Sequence, residues 1–143
     1  EDAPAVAALM IQTRLELMPF APSAHTDEET QAWVADTLIP GGGVSVATLH
    51  DTIVGVVAVQ AEGGLGWIHQ LMVSPQQVKR GIGRALLARA LRQLPRPVQL
   101  WTFQANWGAR RFYDMQGWRA VAFTDGADNE ERVPDVLYRL DPA

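Results

Sequence analysis

Between residues 71 and 84 the chain reads Leu71-Met72-Val73-Ser74-Pro75, two glutamines, then Val78-Lys79-Arg80-Gly81-Ile82-Gly83-Arg84. An apolar run suited to a strand passes into a basic, glycine-containing turn that opens a helix. Glycine has no Cβ, so backbone N–H groups there can approach an anion closely. A helix N-terminus adds partial positive charge. Lys79, Arg80 and Arg84 add formal charge. The combination suits a pyrophosphate, although the same residues also describe an ordinary helix start with a solvated basic turn. Two common nucleotide motifs do not fit. Leu86 stands where a dinucleotide fingerprint needs its third glycine, and no Gly-Lys-Ser/Thr occurs.

A second segment runs Trp101-Thr102-Phe103-Gln104-Ala105-Asn106 and on through Ala109, Phe112 and Tyr113 to Gly117-Trp118. Taken alone, Asn106 reads as a helix N-cap and Phe112 as core. Taken together, the two segments resemble the GNAT superfamily of acyl-CoA-dependent N-acetyltransferases. Val73, Pro75, Gly81 and Gly83 match the family's Val-x-Pro-x-x-Gln/Arg-x-x-Gly-x-Gly/Ala signature. Asn106, Ala109, Phe112, Tyr113 and Gly117 match its later Asn-x-x-Ala-x-x-Phe-Tyr-x-x-x-Gly-Phe pattern, with Trp118 for the final Phe. Three features depart from it. Val78 replaces the usual Gln or Arg, which removes one polar side chain from the pyrophosphate turn. Trp107 follows Asn106, where small or polar residues are usual. The family's first strand has no counterpart before Asp2, and its loss would expose a sheet edge.

The resemblance implies acetyl transfer from acetyl-CoA to a primary amine, without a metal. Backbone groups of Leu71, Met72 and Val73 would hold the pantetheine like an added strand, with one N–H serving the developing oxyanion. Lys79, Arg80, Gly81, Ile82, Gly83 and Arg84 would take the pyrophosphate, and Asn106 would bond the pantetheine arm. Tyr113 would donate a proton to the departing sulfur, since a phenol stays protonated at neutral pH. His69, in the strand before the turn, is the candidate base, because an imidazole can take a proton near neutrality. It could equally order the sheet or bind substrate. Glu62 and a chain of waters are the other options. For the acceptor, two regions flank the expected cleft: the segment from Phe20 to Thr26 with His25, and the acidic run from Asp125 to Glu131. Glu130 and Glu131 would attract a cationic amine; alternatively the run is a solvated connector. Two other functions stay open: an acyl-CoA-binding regulatory module without catalysis, and a nucleotide-binding domain, which the missing Mg²⁺-binding Ser/Thr disfavours.

These residues need elements to place them. Asp2-Ala3-Pro4 starts a helix over residues 3–18, and Pro19 and Pro22 break it. Thr26 with Glu29 has the capping-box form and opens a second helix carrying Trp33, Val34 and Leu38. From Val44 the period changes to two. Strands are predicted over 44–49, 53–59 and 67–73, then a helix over 81–94 and a strand over 98–103. A helix over 106–116, stopped by Gly117, precedes strands over 118–123 and 136–140. This order predicts an α/β (α+β) fold: a mixed, mostly antiparallel twisted sheet with helices on both faces.

With 143 residues, the chain is sized for a single domain. Its 12 Lys+Arg against 16 Asp+Glu disfavour nucleic acid or an anionic membrane as partner. The expected partners are a small-molecule or peptide amine and, for assembly, a homodimer. Cys is absent, so disulfides, thiolate metal sites and a Cys nucleophile are excluded. His25, His50 and His69 lack zinc-ligand spacing. Neither a membrane-length apolar run nor a signal peptide pattern occurs, so a cytoplasmic location is expected.

Overall fold

The computed structural model describes residues 2–77 and 80–142. Helix α1 (Ala3–Leu17) begins with Pro4 in its first turn; Asp2 occupies the N-cap position but makes no side-chain cap bond. Helix α2 (Asp27–Trp33) has both halves of its capping box: Thr26 Oγ1 accepts from Glu29 N at 3.1 Å, and Glu29 Oε1 accepts from Thr26 N at 2.8 Å. It continues as a π-helical turn over Val34–Leu38. The changed winding buries Val34 but leaves Trp33 40% exposed, so the two do not share one side of the helix.

Strands β1 (Val44–Leu49), β2 (Thr52–Glu62) and β3 (Leu65–Val73) form two antiparallel hairpins. His50-Asp51 and Gly63-Gly64 make their turns, all four at positive φ, as tight hairpins of this hand require. Helix α3 (Ile82–Gln93) then crosses over to β4 (Val98–Phe103), parallel to β3. Helix α4 (Trp107–Met115) leads to β5 (Arg119–Thr124) and β6 (Asp135–Leu140). The six-stranded sheet has the order β1-β2-β3-β4-β6-β5, with helices on both faces, as the alternating periods predict.

Two apolar layers hold it together. On one face Val57, Ile68 and Leu100 pack with Leu86, Leu87 and Ala90 of α3 and with Tyr113 and Trp118. On the other, Val56 and Met72 meet Val6, Leu9 and Met10 of α1 and Val34. Gly55 lets α3 settle onto the sheet, because a Cβ there would lie 2.8 Å from Leu86 Cδ1. That seating fixes the N-terminus of α3 beside the end of β3.

Candidate active site

The parallel pair at the middle of the sheet is nearly absent. β3 and β4 match only at Gly66↔Val98 and Trp67↔Gln99, then diverge. Beyond that point each strand keeps its outer partner, β3 with β2 and β4 with β6. The result is a V-shaped gap inside the sheet. A bulge contributes: Ala58 pairs with Gln70 and Val59 with Ile68, so His69 is the extra residue.

Among the described residues, the inner edge of β3 has no strand partner beyond Trp67. Ser74 N donates to Val54 O at 2.7 Å. Hydrogen-bonded pairs alternate along an antiparallel ladder, so Met72 shares its groups with β2, while Leu71 and Val73 turn N–H and C=O into the gap. Of the three backbone positions named from sequence, two therefore face the gap and Met72 does not. Met72 instead packs its side chain in the α1 layer.

The gap opens towards α3. Gly81 precedes that helix at φ +81°, a conformation only glycine adopts freely. The first turn of α3 has no side-chain cap and no acidic residue. Its free N–H groups and Arg84 lie together, a cation where the helix dipole disfavours one. Arg80 and Arg84 are exposed, and Ile82 is half-buried against the core. A Cβ on Gly83 would lie 3.7 Å from Phe112 Cζ and 3.8 Å from Val73 Cγ2, so alanine fits there. Lys79 and the departing position Val78 lie outside the described residues. Beside this turn a hollow of about 400 Å³ runs between α3 and the end of α4, bordered by Gly81, Arg84, Gln116 and Trp118.

Asn106 caps α4: its Oδ1 accepts from Ala109 N at 3.2 Å. The cap uses the carbonyl and leaves the Asn106 amide N–H₂ as a donor, the polarity that the carbonyls of a pantetheine arm require. Tyr113, one turn from the helix end, is 6% exposed. Its ring packs on Phe112, Trp118 and Tyr138 at centroid distances of 5.3, 5.4 and 5.8 Å. Burial alone pushes the phenol above its ordinary range, so it stays protonated.

His69 lies on the opposite face. Gln60 Oε1 accepts from its Nε2–H at 2.8 Å, which leaves the Nδ1 lone pair free. Trp67 stacks beside it, interplanar angle 2° and centroids 6.4 Å apart. The two titratable candidates thus flank the gap, Tyr113 on the α3/α4 face and His69 on the α1/α2 face.

The acceptor candidates come together, but on each other. His25 Nε2 lies 2.8 Å from Glu130 Oε2, across 105 residues of chain. Arg14 Nη1 lies 3.2 Å from Glu131 Oε2 and donates to Ala21 O at 2.8 Å. Phe20 packs edge-on against Phe103 at 6.1 Å. The α1–α2 connection and the β5–β6 loop are therefore joined over the end of β4, and both carboxylates have partners. Sequence reasoning did not single out Arg14, Gln60, Trp67 or Trp101. For the two tryptophans a signal exists, since period-2 alternation puts Trp67 with His69 and Trp101 with Phe103.

Among the described residues, no three His, Asp or Glu side chains converge as metal ligands would, and no helix is long and apolar enough to cross a membrane. Similar folds are numerous. Apo YjaB from Escherichia coli superposes with a TM-score of 0.76 at 20% identity, over 99% of this chain and 92% of that one. The PaiA N-acetyltransferase from Thermoplasma acidophilum, solved with coenzyme A, gives 0.71 at 12% identity, over 99% and 93%. A candidate streptothricin acetyltransferase from Bacillus anthracis, solved with acetyl coenzyme A, gives 0.62 at 20% identity, over 70% and 63%. No curated protein is similar enough in sequence to count as a relative. The family model described as the acetyltransferase (GNAT) family matches residues 10–118, most of the chain and both motif segments. By that match, and by the split sheet that these residues build, the chain belongs to the GNAT acetyltransferase family.

Proposed function

We propose that this chain moves an acetyl group from acetyl-CoA directly to a primary amine of a small-molecule or peptide acceptor. The observation that carries the reading is the gap between β3 and β4, lined by the free backbone of Leu71 and Val73 and ending at the uncapped, basic start of α3. A pantetheine arm pairs with free strand edges, and a pyrophosphate suits free helix N–H groups with arginines beside them. These residues fit acetyl-CoA. When bound, it supplies a thioester as acyl donor.

The chain's own groups then divide the work. Leu71 and Val73 hold the arm, and a backbone N–H of this edge stabilises the developing oxyanion. Gly81, Ile82, Gly83, Arg80, Arg84 and Lys79 seat the pyrophosphate, and Asn106 donates to the arm. His69 Nδ1 takes a proton from the attacking amine on the α1/α2 face. Tyr113 Oη donates to the sulfur on the other. A C–N bond forms, the C–S bond breaks, and the products are an N-acetyl amine and free CoA. Because burial raises the phenol, Tyr113 serves best as a hydrogen-bond donor as sulfur charge builds. The hydrogen bond between His25 and Glu130 and the ion pair of Glu131 with Arg14 brace the acceptor-side loops. The solved relatives that hold coenzyme A or acetyl coenzyme A support the choice of donor.

Release of free CoA thiol, measured with acetyl-CoA and a panel of amines, tests the reading. Amine-dependent release at rates above hydrolysis is expected. Absence of release across the panel, with acetyl-CoA bound, would favour an inactive acyl-CoA-binding module.

A further inference from the structure

On the α1/α2 face, next to the apex of the gap, α1 leaves part of the sheet uncovered. A hollow of about 240 Å³ lies there, lined by Glu62, Trp67, Ile68, His69 and Trp101. Its placement follows from register. Trp67 pairs with Gln60 across β2 and with Gln99 across β4. Trp101 lies two residues past Gln99, on the same face. Two large aromatic rings thus line this part of the sheet surface, Trp101 47% exposed and Trp67 half-buried. Among the described residues that line it, the one formal charge is the carboxylate of Glu62.

Indole faces attract cations, and a carboxylate beside them adds an ion-pair partner. We propose that this hollow binds a second cationic group of the acceptor, so that the preferred acceptor is an amine carrying another ammonium or guanidinium group some distance along its chain. This rests on the acetyl-transfer reading, because the hollow adjoins His69 and the gap apex, where the reacting amine would sit. The placement sets a length. Glu62 pairs with Leu65, four residues from His69 along β3, roughly 13 Å of strand. Both Glu62 and His69 line the one hollow, so the two nitrogens would be separated by less than that. The acidic β5–β6 loop is the poorer candidate for this task, since Glu130 and Glu131 already face His25 and Arg14. The same chemistry is presented by a free diamine and by a peptide N-terminus followed by Lys or Arg.

Binding is read from tryptophan fluorescence without acetyl-CoA, so the test does not need turnover. The probes are 1,6-diaminohexane, 6-aminohexan-1-ol, which has one amine replaced by hydroxyl, and the dipeptide amide Ala-Lys-NH₂. The diamine is expected to bind about tenfold more tightly than the amino alcohol. That preference should vanish in Glu62→Gln and shrink in Trp101→Ala, both at exposed positions. Tighter binding of diamine or dipeptide then identifies the source. Equal binding of diamine and amino alcohol, or a preference that survives Glu62→Gln, overturns the inference. CoA release measured separately keeps the two claims apart. Release from simple amines with no diamine preference sinks the hollow alone, and a diamine preference without release sinks the transfer reading alone.

Discussion

Replacing Tyr113 by Phe removes one oxygen from a ring that is otherwise enclosed by Phe112, Trp118 and Tyr138. Desolvation by these neighbours raises the phenol above its ordinary range. The Tyr113 hydroxyl is not among the buried polar atoms without a partner, so its removal orphans no group and should change stability by no more than about 0.5 kcal/mol. For a domain of this size that is about 1–2 °C in Tm. Loss of a proton donor to sulfur should lower kcat by about 10²–10⁴, or roughly 3–5 kcal/mol of barrier, with acetyl-CoA affinity nearly unchanged. Stability retained while rate falls is the pattern of a group that acts in the reaction rather than in packing. Thermal unfolding and single-turnover kinetics on the same preparation read both numbers. An unchanged rate for the chemical step would assign Tyr113 to packing and remove it from the mechanism.

The same phenol gives a pH prediction. Its folded pKa is raised, so the stability it contributes is complete below pH 10 and is lost as pH rises beyond, at about 1.4 kcal/mol per pH unit. The alkaline decline in unfolding free energy should be shallower in Tyr113→Phe, and equal slopes would contradict the burial argument. Arg84→Glu should weaken acetyl-CoA binding by about tenfold or more in calorimetry while holding or raising apo stability by about 0.3–1 kcal/mol, because it turns an unfavourable charge on the α3 dipole into a favourable one. A stability loss with unchanged affinity would place the phosphates elsewhere. His69→Ala should lower kcat/KM by about 10²-fold or more through loss of the proton acceptor, with acetyl-CoA affinity unchanged; an unchanged kcat/KM points to Glu62 or to ordered water. Glu130→Gln with Glu131→Gln should lower Tm by breaking both loop ties before it alters the acceptor KM. A raised KM with less salt dependence and an intact Tm would instead make these carboxylates direct recognisers of the amine.

The elements were legible because each carries its own period and punctuation. Thr26 with Glu29 announces a helix start, Gly117 a helix stop at φ +89°, and Val44–Leu49 a strand, all from neighbouring residues. The pyrophosphate turn was legible for the same reason, since its glycines and arginines are consecutive. Features that depend on distant pairing were not. Nothing local to Trp67 says that β3 and β4 part after it, or that β2 forces His69 into a bulge. Alternation puts Trp67 on a face but cannot say that α1 stops short of it. His25 and Glu130 are each acceptor candidates by sequence; that they meet at 2.8 Å is a result of two loops converging over β4. Asp2 departs from local expectation because its backbone is already helical, φ −85° and ψ −5°, rather than in the extended conformation a capping side chain needs, and Trp33 because a π-helical turn follows it.

The most direct test of the central claim is residue-resolved amide hydrogen exchange with and without coenzyme A. The inner edge of β3 should become protected at Leu71 and Val73, and the first turn of α3 at Ile82, Gly83 and Arg84. Met72, whose N–H the ladder with β2 already uses, should change little. Protection elsewhere, with the amides of Leu71 and Val73 exchanging as freely as before, would contradict the placement of the acyl donor in the gap between β3 and β4.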